Sequence, residues 1–377
     1  MSGLTVETLR DAGALAALRE DWNRLVDASV RPNVFLTWEW LHAWWTHFGQ
    51  GHTLNVLVVR DPEGGVAGIA PFFIEREGGA WPMRVLKFLG TRLVSSDYLD
   101  LLAKPGRERE VAVAVLRAIR EDRDRWDLAR LSDLLEDAVC LQSLGEEARG
   151  HGCAVEIVKD QWCPYLALAA TSEEYFQALG RSKRSRLKRA KKAVEGVGCT
   201  YTLADSPDTL GPALERLFEL HAKRWAARGL SGNLHAPAVR AFHHELASTL
   251  GTQGTMRIYQ LEREGKGVAC DYVFQRGKTV YFYQTAFDPD PAWEEYHPGY
   301  TLLAHCIEDQ VERGAREFDF LRGREEYKDR WTDTVRETHR LTVVPNEHVP
   351  ALVRYRGEQA VRWTKCHVRA LMNRGKR

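Results

Sequence analysis

The sequence predicts an α/β protein made of two similar units in tandem, each a mixed sheet flanked by helices. Three observations predict it. Thr279 to Trp331 reads as strand, crossover helix, strand, the order that makes two strands parallel neighbours. Two hairpins of matching sequence lie about two hundred residues apart, and similar elements follow each of them. Finally, 377 residues are more than one ordinary core uses.

The first unit opens with residues 33–48, NVFLTWEWLHAWWTHF, which read as a helix with Thr37 as N-cap. Trp38, Leu41, Trp45 and Phe48 share one face and Trp40 and Trp44 a second. Such a face either packs between units or walls a substrate groove. Leu54 to Arg60 and Val66 to Arg76 are rich in β-formers and flank Asp61-Pro62-Glu63-Gly64-Gly65, so they form a hairpin. A strand over Ser96–Leu102, a helix over Val111–Arg120 and a strand over Asp127–Leu131 complete the unit. The second hairpin runs Met256 to Glu262 and Val268 to Gln275, and its second strand also begins Val-Ala. Units at 1–160 and 161–345 follow, the first degenerate or substrate-binding, with a tail at 346–377.

Between the hairpins, Ser172 starts a short helix and RSKRSRLKRAKKAVEG, residues 181–196, forms another. From Arg181 to Lys192 it carries eight basic residues and no acidic one. It is either a solvated linker or a surface for an anion: a phosphorylated donor, tRNA or acidic lipid. The helix beginning near Asp208 ends in HAKRWAARG, whose Trp225 and Arg228 either face the second unit's cleft or serve packing. The basic, helix-compatible tail either solubilises the chain or touches a membrane or a partner such as an envelope synthase.

In the central stretch, Val280–Thr285 is a buried strand that stops at Asp288-Pro289. Pro298-Gly299 then opens a helix with Leu302, Leu303, Cys306, Ile307, Gln310 and Val311 at helical spacing, closed by Gly314. A strand from Glu317 to Leu321 ends at Arg322-Gly323. Asp288, His297, Tyr300, Arg322, Tyr327, Lys328 and Trp331 gather at the loop ends of this unit. In open α/β sheets that is where ligands bind.

Composition excludes several classes. No apolar run approaches a membrane span, and 44% hydrophobic residues suit a globular core. The seven cysteines form no CxxC pair, and no HExxH occurs, so neither a disulfide framework nor a metal site is expected. The opening MSGLTVETLRDAG lacks the pattern of a secretory signal, so a cytoplasmic setting is expected.

FYQTAFDP, HPGY, FDFLRG and EEYKDRW, with the basic helix before them, resemble the GNAT acyltransferase superfamily. More specifically, the same motifs are similar to the CelD-like acetyltransferases associated with cellulose and exopolysaccharide biosynthesis. WEWLHAWW, APFFIER and SSDYLDLL also fit, so the resemblance covers nearly the whole chain. This resemblance implies paired GNAT-like units, as in the Fem-type enzymes that build peptidoglycan side chains. It implies acetyl-CoA or another acyl-CoA as donor, transferred to an amine or hydroxyl of a small molecule, cell-envelope or glycan precursor. The donor would lie against Tyr283, His297, Pro298, Gly299, Tyr300, Arg322, Gly323 and Lys328, and the acceptor against Asp288, Trp225 and Trp331. Asp319 would be the base and Tyr327 the acid that protonates the leaving group. The sequence departs from the family in one place: Glu294 and Glu295 precede a lone Gly299 where GNAT enzymes carry R/Q-x-x-G-x-G/A. Fem-type enzymes also lack that loop and use aminoacyl-tRNA, which makes such a transferase the alternative. A non-catalytic accessory protein of a polysaccharide synthase is the third reading.

Overall fold

The computed structural model describes residues 3–360, apart from residues 80 and 92. In chain order the first half runs β1 (Thr5–Leu9), α1 (Ala12–Ala16), α2 (Arg19–Ala28), α3 (Trp38–Phe48), β2 (Thr53–Arg60) and β3 (Val66–Glu77). It continues with β4 (Met83–Phe88), β5 (Leu102–Ala103), α4 (Glu108–Glu121), β6 (Leu128–Leu135), α5 (Gly145–Gly150) and β7 (Cys153–Ala167). The second half runs α6 (Ser172–Ala178), α7 (Arg181–Gly196), β8 (Cys199–Ala204), α8 (Pro207–Ala226), α9 (Pro237–Thr249) and β9 (Met256–Arg263). It ends with β10 (Lys266–Arg276), β11 (Thr279–Phe287), α10 (Pro298–Glu312), β12 (Glu317–Asp319) and β13 (Val335–Pro345).

Each half repeats one pattern. β1, β2, β3 and β4 pair antiparallel in succession, and β6 joins β4 in parallel after the α4 crossover. β8, β9, β10 and β11 do the same, and β12 joins β11 in parallel after α10. The two hairpins therefore occupy equivalent places. β3 and β10 are buried almost throughout, as expected of Val-, Ile- and Phe-rich strands covered by helices.

The last strand of each half crosses to the other. β7, which follows β6, pairs with β12 and β13. β13, which follows β12, pairs with β6 and β7. Among the described residues the result is one continuous mixed sheet of thirteen strands, flanked by helices. Helix α3 reinforces this junction. Thr37 caps it by accepting from the Trp40 N–H, and buried Trp40 meets Phe242, Phe274 and Tyr283 of the second half edge-on. The aromatic face of α3 thus serves packing between halves.

Two expected strands differ. Residues 96–101 form a buried loop, and only Leu102–Ala103 pairs, with β3. Ser95 and Tyr98 take positive φ (47° and 60°), which breaks an extended path. Asn33 Nδ2 holds the loop by donating to the Tyr98 carbonyl at 2.8 Å. β12 stops at Asp319 rather than Leu321, because Leu321 turns left-handed at φ 57°. In the tail, residues 349–360 are helical and bury Ala351 and Tyr355 against Met83, Val85, Leu128 and Val344. Its further basic residues, Arg362, Lys365, Arg369, Arg374, Lys376 and Arg377, lie outside the described residues.

Candidate active site

β11 and β12 stay paired only over Thr279–Tyr281 and Glu317–Asp319. Beyond Asp319 the chain leaves: the Phe320 N–H donates to the Pro164 carbonyl at 2.9 Å, and Leu321 then turns away. β11 continues to Phe287 without that neighbour. A cleft of about 530 Å³ opens beside this unpaired stretch. Phe282, Thr285 and Phe287 line it from β11, and Tyr327 and Trp331 from the loop after β12.

The start of α10 forms another wall. Pro298 is its first residue, and His297 before it is left-handed, φ 48° and ψ 54°. The next N–H groups, at Gly299 and Tyr300, lie in the first turn, where no intrahelical acceptor exists and the helix dipole is positive. A side chain at Gly299 would bring Cβ within 3.2 Å of the Phe287 ring, so glycine keeps this wall thin. Tyr300 packs on Trp331 with ring centroids 5.1 Å apart. The guanidinium of Arg186, from α7, lies 5.3 Å above the Tyr300 ring, which brings the basic helix to the cleft's edge.

Seven of the residues expected at the site meet here: Asp288, His297, Pro298, Gly299, Tyr300, Tyr327 and Trp331 all line the cleft. Burial raises the Tyr327 hydroxyl well above its ordinary pKa, Glu325 adds to this, and so the phenol holds its proton. Asp288 accepts from the Asp290 N–H at 3.1 Å and lies 3.5 Å from Lys223 Nζ.

The other six do not line it. Asp319 is fully buried where the halves meet: Tyr98 Oη donates to its two oxygens at 3.0 and 2.9 Å, and Arg336 Nη1 lies 3.4 Å away. Burial raises its pKa to about 7 against the pull of Arg336. Arg322 is drawn inward by two acids, its Nε donating to Asp97 at 2.7 Å and its Nη2 lying 2.9 Å from Asp133. Lys328 is buried and donates to the Arg322 carbonyl at 2.8 Å, fixing the loop from behind. The Gly323 N–H donates to the Trp162 carbonyl at 3.0 Å, and its φ of 112° needs glycine. Tyr283 donates to the Val94 carbonyl at 2.6 Å within the aromatic junction, and Trp225 sits against His221 and Arg228. In all of these but Trp225 a nearer partner captures the polar group.

One further residue lines the cleft and another lies directly behind it. Arg224 lines the cleft, with its guanidinium 4.5 Å from the Phe287 ring centroid and Nη1 donating to the Thr285 carbonyl at 3.2 Å. Its buried Nε has no partner among the described residues. A signal existed, because Arg224 follows buried Leu217, Leu220 and His221 at the helical spacings of one face of α8. Asp271, on β10, stands directly across from Thr285 and is fully buried. Its sequence signal was a lone acid inside the apolar run Val268–Phe274.

A second cavity, of about 880 Å³, is lined by Tyr98, Tyr165, Tyr281, Arg276, Glu317 and Arg336, among others from both halves. Tyr281 lines it and Phe282 lines the first, and successive residues of a strand face opposite sides of a sheet. The two cavities therefore approach the parting strands from opposite faces. Among the described residues no group of three or more His, Cys, Asp or Glu side chains is placed to share a metal ion.

Residues 181–329 match the family described as acetyltransferase (GNAT) domain. That segment runs from α7 through the loop carrying Tyr327, so all but Arg330 and Trp331 of the residues lining the cleft lie within it. The chain is similar to the crystal structure of FemX, with a TM-score of 0.63 and 11% identity, over 92% of this chain and 99% of that one. It is also similar to L-PGS from Bacillus licheniformis (TM-score 0.53, 12% identity, 92% of this chain and 96% of that one). A third likeness is to the C-terminal domain of an assigned lysylphosphatidylglycerol synthetase from Agrobacterium fabrum. There the TM-score is 0.54 at 11% identity, over 90% of this chain and 96% of that one. At such identities these likenesses show the fold alone, two similar halves that share one mixed sheet. No curated protein sequence matches the chain.

Proposed function

We propose that the chain transfers an acyl group from a donor held in the α10 cleft to an amine or hydroxyl arriving from the second cavity. The observation that carries this reading is the cleft itself: two parallel strands part beside a helix start. Freed backbone groups along β11 suit an extended pantetheine arm, and the first turn of α10 suits its pyrophosphate. The favoured donor is acetyl-CoA or another acyl-CoA. Arg224, with an unpartnered Nε, is a cation available to anionic oxygen inside the cleft, which Arg330 also lines. Tyr327, holding its proton, donates to the leaving group. For Asp319 we propose a role at the junction of the halves, since Tyr98 and Arg336 enclose it.

The fold shared with FemX and the lysylphosphatidylglycerol synthetase domain supports an acceptor from the cell envelope. The CelD-like motifs narrow it to a polysaccharide-related precursor, handled in the cytoplasm. One observation favours aminoacyl-tRNA as an alternative donor: α7 exposes Arg181, Lys183, Lys188, Arg189 and Lys192 beside the cleft that Arg186 reaches. The test is binding of acetyl-CoA and of a mixed aminoacyl-tRNA pool, measured side by side. Saturable binding of one with transfer of its acyl group supports the reading. Binding of neither leaves the accessory scaffold in its place.

A further inference from the structure

Asp271 combines features that do not belong together in a merely structural residue. It is fully buried, and neither carboxylate oxygen has a hydrogen-bond partner among the described residues. Buried polar groups are almost always paired, and an unpaired carboxylate is among the most unfavourable groups to enclose. The Thr285 hydroxyl leans toward it without completing a bond of ordinary geometry. Thr285 is its register partner on β11 and also lines the donor cleft. The acid therefore lies one residue beneath the cleft, behind the side chain that separates it from a bound ligand.

Among the described residues no cation stands close enough to neutralise it. Tyr259, opposite on β9, donates its hydroxyl to Asp309 and accepts from Gln310 Nε2 at 2.8 Å, so it is already engaged. Cys270 of the same strand and Cys306 of α10 are buried thiols, and Asp271 helps raise both their pKa values. Tyr327, from the loop after β12, also feels the Asp271 charge, while Arg224 of α8 acts on Tyr327. Burial lifts the Asp271 carboxyl to about 7. A group with these neighbours changes protonation near neutrality, the range in which a proton acceptor operates.

We propose that Asp271 is a proton-relay residue, which takes the acceptor's proton through the Thr285 hydroxyl and returns it through Tyr327. The inference rests on the acyl-transfer reading above. As the acceptor's nitrogen or oxygen bonds to the acyl carbon, its proton passes to Thr285, whose own proton passes to the Asp271 carboxylate. The bond from the acyl carbon to the leaving sulfur or oxygen breaks, and the leaving group takes the Tyr327 proton. Asp271 then reprotonates Tyr327, so acid, threonine and tyrosine end as they began. No further reactant is needed. Asp271 touches neither donor nor acceptor; it acts through the two side chains that do.

The test compares Asp271→Asn, Thr285→Val and the parent for donor binding, turnover against pH and thermal stability. Asn keeps the shape and removes the base. Both variants should bind donor as the parent does, while turnover falls on the order of a hundredfold. The parent's rate should rise with pH through about 7, and that limb should vanish in Asp271→Asn. It should persist in Asp133→Asn, whose carboxyl also stands near 7 but lies at the junction of the halves. The melting temperature of Asp271→Asn should equal or exceed the parent's, since an unpaired buried carboxylate is gone. Parent-like turnover and pH profile in both Asp271→Asn and Thr285→Val would overturn the relay, as would a melting temperature lowered in step with activity. A parent that binds no donor would instead remove the acyl-transfer reading, and the relay with it.

Discussion

At the scale of single residues, the site depends on which polar groups find partners first. Arg322 and Asp319 stand in the sequence where a cleft residue is expected, yet Asp97, Asp133, Tyr98 and Arg336 bind them into the junction. Tyr327 instead lines the cleft. Tyr327→Phe should therefore lower turnover by roughly tenfold to a hundredfold and leave donor affinity within about twofold, because only the proton donor is removed. Steady-state kinetics with a direct binding titration separate the two quantities. A weakened donor with unchanged turnover would make Tyr327 a binding group. Asp271 was hidden for the opposite reason to Asp319: no motif surrounds it, and only the pairing of β10 with β11 puts it beneath Thr285.

At the scale of elements, α7 divides its charges between packing and solvent. Leu187 and Val194 are buried, Lys191 pairs with Glu308, and Arg184 donates to the Phe176 and Gln177 carbonyls. Lys183, Lys188 and Arg189 are exposed. Replacing those three with glutamine should weaken tRNA or another polyanion and flatten the salt dependence by two to three units of log K against log salt, at about 0.7–0.9 per charge. Unchanged affinity across a salt series would leave α7 a packing element. Lys191→Gln should act differently, lowering stability while sparing polyanion affinity, because Glu308 would lose its buried partner.

Helix α7 and both hairpins were legible because each is specified locally, by a narrow apolar stripe or by β-formers around a glycine turn. The Pro298 helix start was legible for the same reason. β7 and β13 were not. Their burial is irregular, and they are strands because each half's last segment finds its partners in the other half. The Ser96–Leu102 loop misled because its tyrosine and leucines suit a strand, while its left-handed turns answer to Asn33 and Arg322 far away in sequence.

At the scale of the whole molecule, the exchange of β7 and β13 ties the halves together, and the expected boundary at residue 160 falls inside β7 rather than in a linker. Three buried acids are raised alike, Asp133 and Asp319 at this junction and Asp271 beneath the donor cleft. Burial raises Asp133, Asp271 and Asp319 each to about 7. A carboxyl raised in the folded state favours folding while protonated, so its contribution is full below about pH 4 and is lost as pH climbs to about 7. Each change is on the order of a few kcal/mol at most. Glu39 and Asp127 are lowered instead and weaken the fold only as pH falls below the ordinary carboxylate range. Thermal unfolding should be one transition whose midpoint declines between about pH 4.5 and 7.5, less steeply in Asp271→Asn. A midpoint rising over that interval, or two separate transitions, would contradict this picture of the junction.

The central claim is that the cleft at the start of α10 holds the acyl donor. Trp293 and Trp331 line that cleft, so their fluorescence reports on its contents. Gly299 is where a side chain would fill it, since even a Cβ comes within 3.2 Å of Phe287. The most direct measurement is a fluorescence titration of the parent and of Gly299→Leu with acetyl-CoA and with aminoacyl-tRNA. The account predicts saturable quenching of the parent by one donor and at least a roughly tenfold loss of that affinity in Gly299→Leu, about 1.4 kcal/mol. Equal affinity in the two proteins, with the fold of the variant intact, would contradict it.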